Sequence, residues 1–426
     1  MAPGTTAADR RAARRPMSRD VRLFWCASAG DALGTQASGV VLPLLLLGLG
    51  HSAATVGVVA GVSTAAGLLL APIAAVPADR GARKPVMFWS ATVSALAMAG
   101  LTAAVTWGDP PLALLLGTVL VERFSTAVYE AAAAGTVAMI APPADCPRVV
   151  AGLSAGDQGA LVLGPALGGA LYQASRALPF LADAVSYAVA AGCVRALSSD
   201  LRPRPSTGPL AAAPRSEAVP RTGTARRVRD EVGAGLALVR SSPFLRLVLA
   251  WTATVNGVIV ALYYGAVFTL QKGGHGGGPM GLVLALSGAA GLVGSLAAPR
   301  VVGRIGAARL LVTVSWLLVP LAAGLATAEG PWLYGALFGA FCLLMPLVAV
   351  VLQSRALQET PPELQARTGA VLASAAGGSA ALAPVLAGVF VSRAGTAAPA
   401  AVCAGSLAVL AWWTTVVRGR LTAVAA

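Results

Sequence analysis

Twelve long apolar segments constrain the fold of this chain more than any other feature of its sequence. They are rich in Leu, Val, Ala and Gly, and mostly short polar loops separate them. The predicted segments are 23–48, 54–77, 84–106, 111–138, 150–173, 178–197, 244–271, 279–302, 309–328, 331–353, 368–392 and 396–417. A helix of about 20 residues crosses the ~30 Å hydrocarbon core of a bilayer. The pattern therefore predicts an all-α membrane protein with twelve transmembrane helices.

The composition agrees with a membrane protein and argues against other classes. Only 11% of the residues are charged, whereas soluble globular proteins carry about 25%. The net charge of +14 lies in loops, so we expect no nucleic-acid partner. The five cysteines are scattered, and both histidines, His51 and His275, fall in short loops, so we expect no metal site.

The Lys and Arg residues mark one side of the membrane. Of the 31, 27 lie at the two ends of the chain or in loops on that side. The opposite side has Arg176, Lys272 and Arg393, and Arg123 lies inside the fourth segment. Cytoplasmic loops carry such an excess of cations. We therefore expect a multi-pass protein of the inner (cytoplasmic) cell membrane with both termini in the cytoplasm.

One long connection divides the chain into two halves. Its first part is rich in proline, and its second part, 226–240, has apolar residues at helical spacing, which predicts an interfacial amphipathic helix. The predicted organisation is a basic tail 1–21, a six-helix bundle 22–197, the central loop 198–243, a second six-helix bundle 244–417 and a tail 418–426.

An internal repeat relates the two halves. A shift of 219 residues brings Pro165 onto Pro384 and Gly169 onto Gly388, within a window that has further matches. Such a repeat predicts two pseudo-symmetric bundles with a substrate site near the middle of the membrane.

A charged loop, AVPADRGARK (75–84), joins the second and third segments. It resembles the signature G-x-x-x-D-R-x-G-R-K of the major facilitator superfamily, although Ala75 and Ala82 replace two glycines. The charged positions of the signature are Asp79, Arg80, Arg83 and Lys84. The resemblance implies the two-bundle fold of that superfamily and a loop that gates its cytoplasmic side. A generic loop that only sets orientation is the alternative.

The fifth segment contains ALVLGPALGG (160–169), which resembles the antiporter signature G-x-x-x-G-P-x-x-G-G of drug exporters. The matching residues are Gly164, Pro165, Gly168 and Gly169. A proline bends a helix, and glycines leave a groove in which another helix can lie. We expect the eighth segment, with glycines at 288, 291 and 294, to fill this groove. Ordinary small-residue packing is the alternative.

Ionisable side chains inside membrane helices are costly and usually functional. The proton-coupling candidates are Asp31, Arg123, Glu130 and Asp183. Arg123 and Glu130 share one helix face about 10 Å apart. A carboxylate near an arginine can take up and release a proton during transport. For Asp183, a purely structural role in fixing helix geometry is the alternative. For Glu122 and Asp157, solvated or capping roles are equally compatible. The candidates for a substrate cavity are Gln36, Tyr129, Asn256 and Tyr263.

Several strings resemble one branch of the superfamily, the enterobactin-exporter and macrolide-efflux-like "transmembrane secretion effector" proteins. They include SAGDALG (28–34), LGPALGGAL (163–171) and FLADAVSYAVAA (180–191). The resemblance implies a proton-coupled exporter of drugs, macrolides, siderophores or other small hydrophobic or amphipathic compounds, working by alternating access. An importer or facilitator of the same fold and a non-transporting sensor or assembly protein remain alternatives.

The energy source follows from motifs that the sequence lacks. There is no nucleotide-binding G-x-x-x-x-G-K-[ST] string and no evident set of catalytic nucleophile and base. We therefore expect no enzymatic activity and no cofactor, with the proton motive force as the energy source. The expected partners are the lipid bilayer, protons and a small-molecule substrate, and we expect a monomer.

Single cysteines at Gly274 and Thr207 test the predicted orientation, in a chain whose native cysteines are replaced by serine. Because the cation bias places residue 274 outside, Gly274→Cys should react with a membrane-impermeant maleimide in intact cells. Thr207→Cys should react only after the cells are opened. Labelling of Thr207→Cys in intact cells would contradict the predicted topology.

Overall fold

The computed structural model of the chain describes residues 17–79, 83–134, 136–142, 145–199, 201, 233, 235–274, 277–328, 330–361 and 364–423. Within these residues all regular secondary structure is helical. The first six long helices are α1 (Arg19–Gly48), α2 (Ala53–Asp79), α3 (Arg83–Trp107), α4 (Leu112–Ala134), α5 (Cys146–Ala174) and α6 (Leu178–Ala196). The other six are α7 (Pro243–Lys272), α8 (Gly277–Ile305), α9 (Ala307–Ala326), α10 (Pro331–Glu359), α11 (Gln365–Ala394) and α12 (Ala398–Ala423).

The predicted all-α membrane fold is confirmed. By length and composition, 11 helices in the described part of the chain are able to cross a membrane. The long helix outside this set is α5, which contains more glycines than its neighbours α4 and α6. Large apolar side chains such as Trp107 and Trp332 are exposed on the surface, as expected for helices that face lipid.

The helices differ from the predicted segments mainly in where they begin and end. α10 continues to Glu359 and α12 to Ala423, beyond the predicted ends at 353 and 417. The prediction of one continuous fourth helix over 111–138 is wrong. α4 ends at Ala134, and a short helix, Val137–Ile140, follows. The buried Thr136 between them donates its Oγ1 to the carbonyl of Ala132 at 3.0 Å. Side-chain bonds of this kind compete with the helical ladder.

The chain forms two compact units. Unit 1 comprises residues 1–41 and 69–203, and unit 2 comprises residues 42–68 and 204–426. The tip of the hairpin between α1 and α2 therefore belongs to unit 2, whereas the predicted bundles, 22–197 and 244–417, assign it to the first half. In unit 2, Gly61 of α2 lies against α11, where a Cβ atom would come 2.6 Å from the carbonyl oxygen of Ala381. This close approach joins the tip to α11.

The core of unit 1 forms where α3 packs against α4 and α6. Its largest fully buried side chains include Met87, Leu101, Leu115, Phe180 and Tyr187. Tyr187 of α6 is the member of this set that carries a hydroxyl group into the interior.

In unit 2, α7 packs against α11, α8 against α10, and α9 against α12. The buried Tyr334 of α10 donates its hydroxyl to the carbonyl of Leu262 on α7 at 2.8 Å. Residues 235–241 are helical, in agreement with the end of the predicted amphipathic helix, and Val239 is buried. The rest of that predicted helix, apart from residue 233, lies outside the described residues.

A stripe of small residues on α5 faces α1 within unit 1. Its members recur every four residues and are Gly152, Gly156, Ala160, Gly164 and Gly168. Side chains or backbone of α1 lie against four of these positions, at Trp25, Ala29, Gln36 and Ala37. Small residues permit this close helix packing. At these positions α1 fills the groove, whereas α8 was the predicted helix. On α8 itself, the backbone of Leu343 in α10 lies against Gly294.

The fifth helices of the two halves correspond. When α5 is moved forward by 219 residues, its bounds fall within one residue of those of α11. Pro165 and Pro384 lie at equivalent positions inside these helices. The helix bounds thus agree with the repeat found in the sequence.

Replacement of Gly168 by alanine tests the packing of α5 on α1. A Cβ atom at Gly168 would collide with the carbonyl oxygen of Ala37, whereas one at Gly159 would meet nothing within 4 Å. We expect Gly168→Ala to lower stability by about 1–3 kcal/mol, the usual cost of over-packing. Gly159→Ala, the control on the same helix, should leave stability unchanged or slightly higher. Equal thermal unfolding of the two purified variants would contradict this packing.

Candidate functional site

A cavity of about 580 Å³ lies within unit 1 among α1, α4 and α5. Its polar lining consists of Ser28, Asp31, Thr35, Gln36, Arg123, Thr126, Tyr129, Glu130 and Asp157. Apolar side chains, among them Phe24 and Leu153, complete the wall. The cavity therefore combines several acids with an apolar surface, a combination found in sites that bind small molecules.

Three of the predicted proton-coupling residues meet in this cavity. Asp31 lies on α1, while Arg123 and Glu130 lie seven residues apart on α4. The helical spacing on α4 brings the latter two to one face, as the sequence pattern predicted. Asp157 of α5, for which the sequence left a solvated or capping role open, lines the same cavity. The site therefore contains three carboxyl groups and one guanidinium group.

The predicted substrate-cavity residues separate into two pairs. Gln36 and Tyr129 line the unit 1 cavity. The Tyr129 side chain is 95% buried, and its hydroxyl has no hydrogen-bond partner within the described residues. Asn256 and Tyr263 lie on α7 in unit 2, where Asn256 donates its Nδ2 to the carbonyl of Thr252 at 2.8 Å. Tyr129 thus contributes a buried hydroxyl without a described partner to the residues that line the unit 1 cavity.

Glu122 forms a buried network behind the cavity wall. Its side chain is 5% exposed, and its Oε1 accepts hydrogen bonds from Tyr187 at 2.7 Å and Thr126 at 3.1 Å. Its Oε2 lies 3.6 Å from the Nε of Arg123. A buried carboxylate needs such partners, because an isolated charge in an apolar interior is very costly. Glu122 is therefore held by groups from α4 and α6.

Two threonines connect this network to the cavity. The hydroxyl of Thr35 on α1 lies 3.1 Å from the hydroxyl of Tyr187. Thr126 on α4 lies 3.4 Å from the same hydroxyl. Both threonines line the cavity. A continuous series of hydrogen-bonding groups therefore leads from the cavity wall to Glu122.

Asp183 occupies a separate buried position on α6, one turn before Tyr187. Its side chain is 1% exposed, and its Oδ1 accepts a hydrogen bond from Ser186 at 3.4 Å. Its Oδ2 has no partner among the described residues. Gly34 of α1 allows the approach, since a Cβ atom there would lie 2.5 Å from this Oδ1. Asp183 is therefore buried at the contact between α1 and α6, outside the cavity lining.

The charged loop is partly described. Lys84 donates its Nζ to the carbonyl of Leu197 at the end of α6 at 2.6 Å. Arg83 donates its Nη1 to the Sδ of Met139 at 3.8 Å. Arg80 and the side chain of Asp79 lie outside the described residues. The two described cations thus anchor the start of α3 to α6 and to the segment after α4.

The sequence profile of the Major Facilitator Superfamily matches residues 24–373, which is more than three quarters of the chain. The chain belongs to the Major Facilitator Superfamily. This membership identifies the protein as a member of a family of membrane transporters, in agreement with its twelve long helices. It does not extend to the branch that the sequence strings resemble.

Solved structures of other transporters share the fold. A bacterial homologue of the iron transporter ferroportin, in an inward-facing state, matches with a TM-score of 0.67 and 13% identity, covering 94% of this chain and 100% of its own. The nucleoside transporter NupG matches with a TM-score of 0.64 and 16% identity, covering 94% and 99%. The human organic anion transporter MFSD10 matches with a TM-score of 0.60 and 18% identity, covering 94% and 100%. A comparison with curated proteins gives no significant match.

Within this superfamily fold, sequence patterns did not indicate the role of Tyr187 or the burial of Glu122. The pair lies 65 positions apart in the chain, so no helical period connects it. A local signal exists only for Thr126, which follows Glu122 by four residues and therefore lies on the same face. A glutamate with a hydroxyl residue one turn later, within an apolar helix, would have indicated a buried carboxylate.

A double-mutant cycle tests the bond between Glu122 and Tyr187. Removal of either group leaves the other without this hydrogen-bond partner, so Glu122→Ala and Tyr187→Phe should each lower stability by about 1–3 kcal/mol. The double variant should lose less than the sum, with a coupling of at least about 0.5 kcal/mol. Thermal unfolding of the purified protein measures this, with Tyr172→Phe near the end of α5 as the control. Strict additivity would contradict the bond.

Proposed function

We propose that the protein is a proton-coupled secondary exporter in the inner (cytoplasmic) membrane, with both termini in the cytoplasm. Its substrate would be a small hydrophobic or amphipathic compound, such as a drug, a macrolide, a siderophore or another secondary metabolite. The observation that carries the proposal is the cavity of unit 1, in which acids from three membrane helices meet. Ionisable side chains inside a membrane cost free energy, and they commonly mark ion or proton pathways.

The charge of the cavity supports a role for protons. Its lining holds the carboxyl groups of Asp31, Glu130 and Asp157 but only one cation, Arg123. The Nε of Arg123 also lies near the buried Glu122. If all these acids were ionised, negative charge would remain in a region of low dielectric constant, where repulsion is strong. Binding of protons or of a cationic group would relieve it.

A transport cycle follows from this arrangement. Asp31 and Glu130 would take up protons from one side and release them on the other as the two bundles alternate access. Arg123 would compensate the charge when a proton leaves. Asp183, with one unpartnered carboxyl oxygen, is a further place where a proton can be held. The gating loop Asp79–Lys84 would stabilise the state that is closed to the cytoplasm.

The substrate would be held by groups that offer both apolar contact and hydrogen bonds. Gln36 and Tyr129 would supply them from unit 1, and Asn256 and Tyr263 from α7. The glycines and Pro165 of α5 support export through their resemblance to the antiporter signature. The branch resemblance favours macrolides and siderophores among the compounds named above.

Two alternatives are distinguishable. An importer or facilitator of the same fold is compatible with the solved neighbours, because transporters named for different substrates share the fold. It would move its substrate inward or without a proton gradient. A non-transporting sensor or assembly protein would show no movement of solutes in either direction. In each case we propose a monomer without enzymatic activity, nucleic-acid partner or cofactor.

Everted membrane vesicles with an imposed proton gradient test the proposal. Uptake of ethidium and of a labelled macrolide should depend on the gradient in the wild type. Asp31→Asn and Glu130→Gln remove a titratable group but keep its shape, so each should lower gradient-driven uptake at least about tenfold. Binding of the same compounds should change little.

Asp109→Asn provides the matched control for these variants. Asp109 is an exposed acid in the loop between α3 and α4, so its replacement should leave uptake at the wild-type level. Full gradient-driven uptake in both Asp31→Asn and Glu130→Gln would contradict their role as proton carriers. Wild-type uptake that does not depend on the proton gradient would favour the facilitator.

A further inference from the structure

A second cavity, of about 630 Å³, lies between α3 and α4 on the surface of unit 1. Its walls include Trp89 and Val93 of α3 and Val121 and Phe124 of α4. Trp89 is 63% exposed and Phe124 39% exposed, so these side chains point away from the core. We call this feature the α3–α4 groove. It lies between two membrane helices, and almost all of its lining is apolar.

The few polar groups of the α3–α4 groove are engaged or buried. Ser90 donates its hydroxyl to the carbonyl of Val86 in its own helix at 2.7 Å. Ser125 of α4 is buried beside it. The groove has no acidic lining residue. Its interior therefore suits a hydrocarbon chain, because a polar ligand would find few hydrogen-bond partners there.

The groove has a cationic end. α3 begins at Arg83, two residues before the lining residue Pro85, and the Arg83 side chain reaches Met139 in the segment after α4. The acceptor there is a thioether, which is weak, and the buried Nε of Arg83 has no partner among the described residues. Arg83 therefore brings a guanidinium group with unused donor capacity to the end of the groove.

A second cation lies at the same level of the bundle. The guanidinium carbon of Arg195, in the last turn of α6, lies 5.8 Å from the centre of the Phe88 ring. The Phe88 ring in turn contacts that of Trp89 edge to face, with 5.3 Å between centroids. Arg83 and Arg195 thus place positive charge on the side of unit 1 at which α3 begins, which is the predicted cytoplasmic face.

We propose that the α3–α4 groove binds one anionic phospholipid. An acyl chain would lie along Trp89, Val93, Val121 and Phe124, and the phosphate group would accept hydrogen bonds from Arg83. Guanidinium groups bind phosphate well because their donors form a fork that matches its oxygens. The excess of positive charge favours anionic lipid, which is concentrated in the cytoplasmic leaflet.

The position of the groove gives such a lipid a consequence for the transporter. Phe124 of the groove is next in sequence to Arg123 of the acidic cavity, and Val128 of the groove is next to Tyr129. Because α4 separates the two cavities, a lipid that fills the groove would support the rear of the helix that carries the cavity residues. The site would therefore couple the lipid composition to the position of α4.

Native mass spectrometry of the full-length protein in detergent tests the site. Phosphatidylglycerol and phosphatidylcholine with identical acyl chains would be added separately. We expect one phosphatidylglycerol to bind more tightly than phosphatidylcholine. Arg83→Gln should weaken phosphatidylglycerol binding about fivefold, the effect of one basic group near a membrane surface, and leave phosphatidylcholine unchanged. Trp89→Ala should weaken both lipids.

Trp412→Ala is the matched control, because Trp412 lies on α12 and is exposed to the same 63% as Trp89. It should leave the binding of both lipids unchanged. Val93→Trp narrows the groove without removing a cation and should abolish the tight site. It is a second test that does not depend on the correct folding of Arg83→Gln. Equal binding of the two lipids, or equal effects of Trp89→Ala and Trp412→Ala, would overturn the proposal. A lipid-free dimer that Val93→Trp dissociates would assign the groove to a second copy of the chain.

Discussion

Inside the hydrocarbon core of a membrane, a polar side chain has no water and must find its partner within the protein. Hydroxyl groups of this chain meet the requirement largely within their own helices. Ser63 donates to the carbonyl of Val59, and Thr102 to that of Met98, each at 2.7 Å. Glu122 cannot do so alone, and it takes donors from α4 and α6. A hydrogen bond that satisfies one buried carboxylate therefore links α4 to α6 in unit 1.

The same constraint distinguishes the buried acid Glu122 from the acids that we propose as proton carriers. Glu122 is bonded to two hydroxyl groups and lies near Arg123, so it stabilises one arrangement of helices. Asp31 and Glu130 line an open cavity instead, where their partners can change. An acid whose surroundings change is suited to take up and release a proton, whereas one that is fully bonded is suited to hold helices together. This difference is the physical basis of the proposed coupling.

Much of the fold was predictable because its signal is local. A membrane helix needs an unbroken apolar run, so the spans were found to within a few residues, apart from the ends of α10 and α12 and the break after Ala134. The meeting of Asp31, Arg123 and Glu130 was only partly predictable, since helical period aligns residues within α4 but not between helices. The partner of Glu122 and the packing of α5 against α1 are contacts between distant segments. No period in one sequence reveals these contacts, which is why α1, and not the expected α8, was found against Gly164 and Gly168.

Infrared difference spectroscopy tests the central claim most directly, because it detects protonated carboxyl groups without knowledge of the substrate. Spectra of the purified protein in lipid would be compared between mildly acidic and mildly alkaline pH. We expect a carboxylic acid band that decreases in Asp31→Asn and in Glu130→Gln but keeps its intensity in Glu122→Gln. A band that persists unchanged in the double variant Asp31→Asn/Glu130→Gln, or that disappears only in Glu122→Gln, would contradict it.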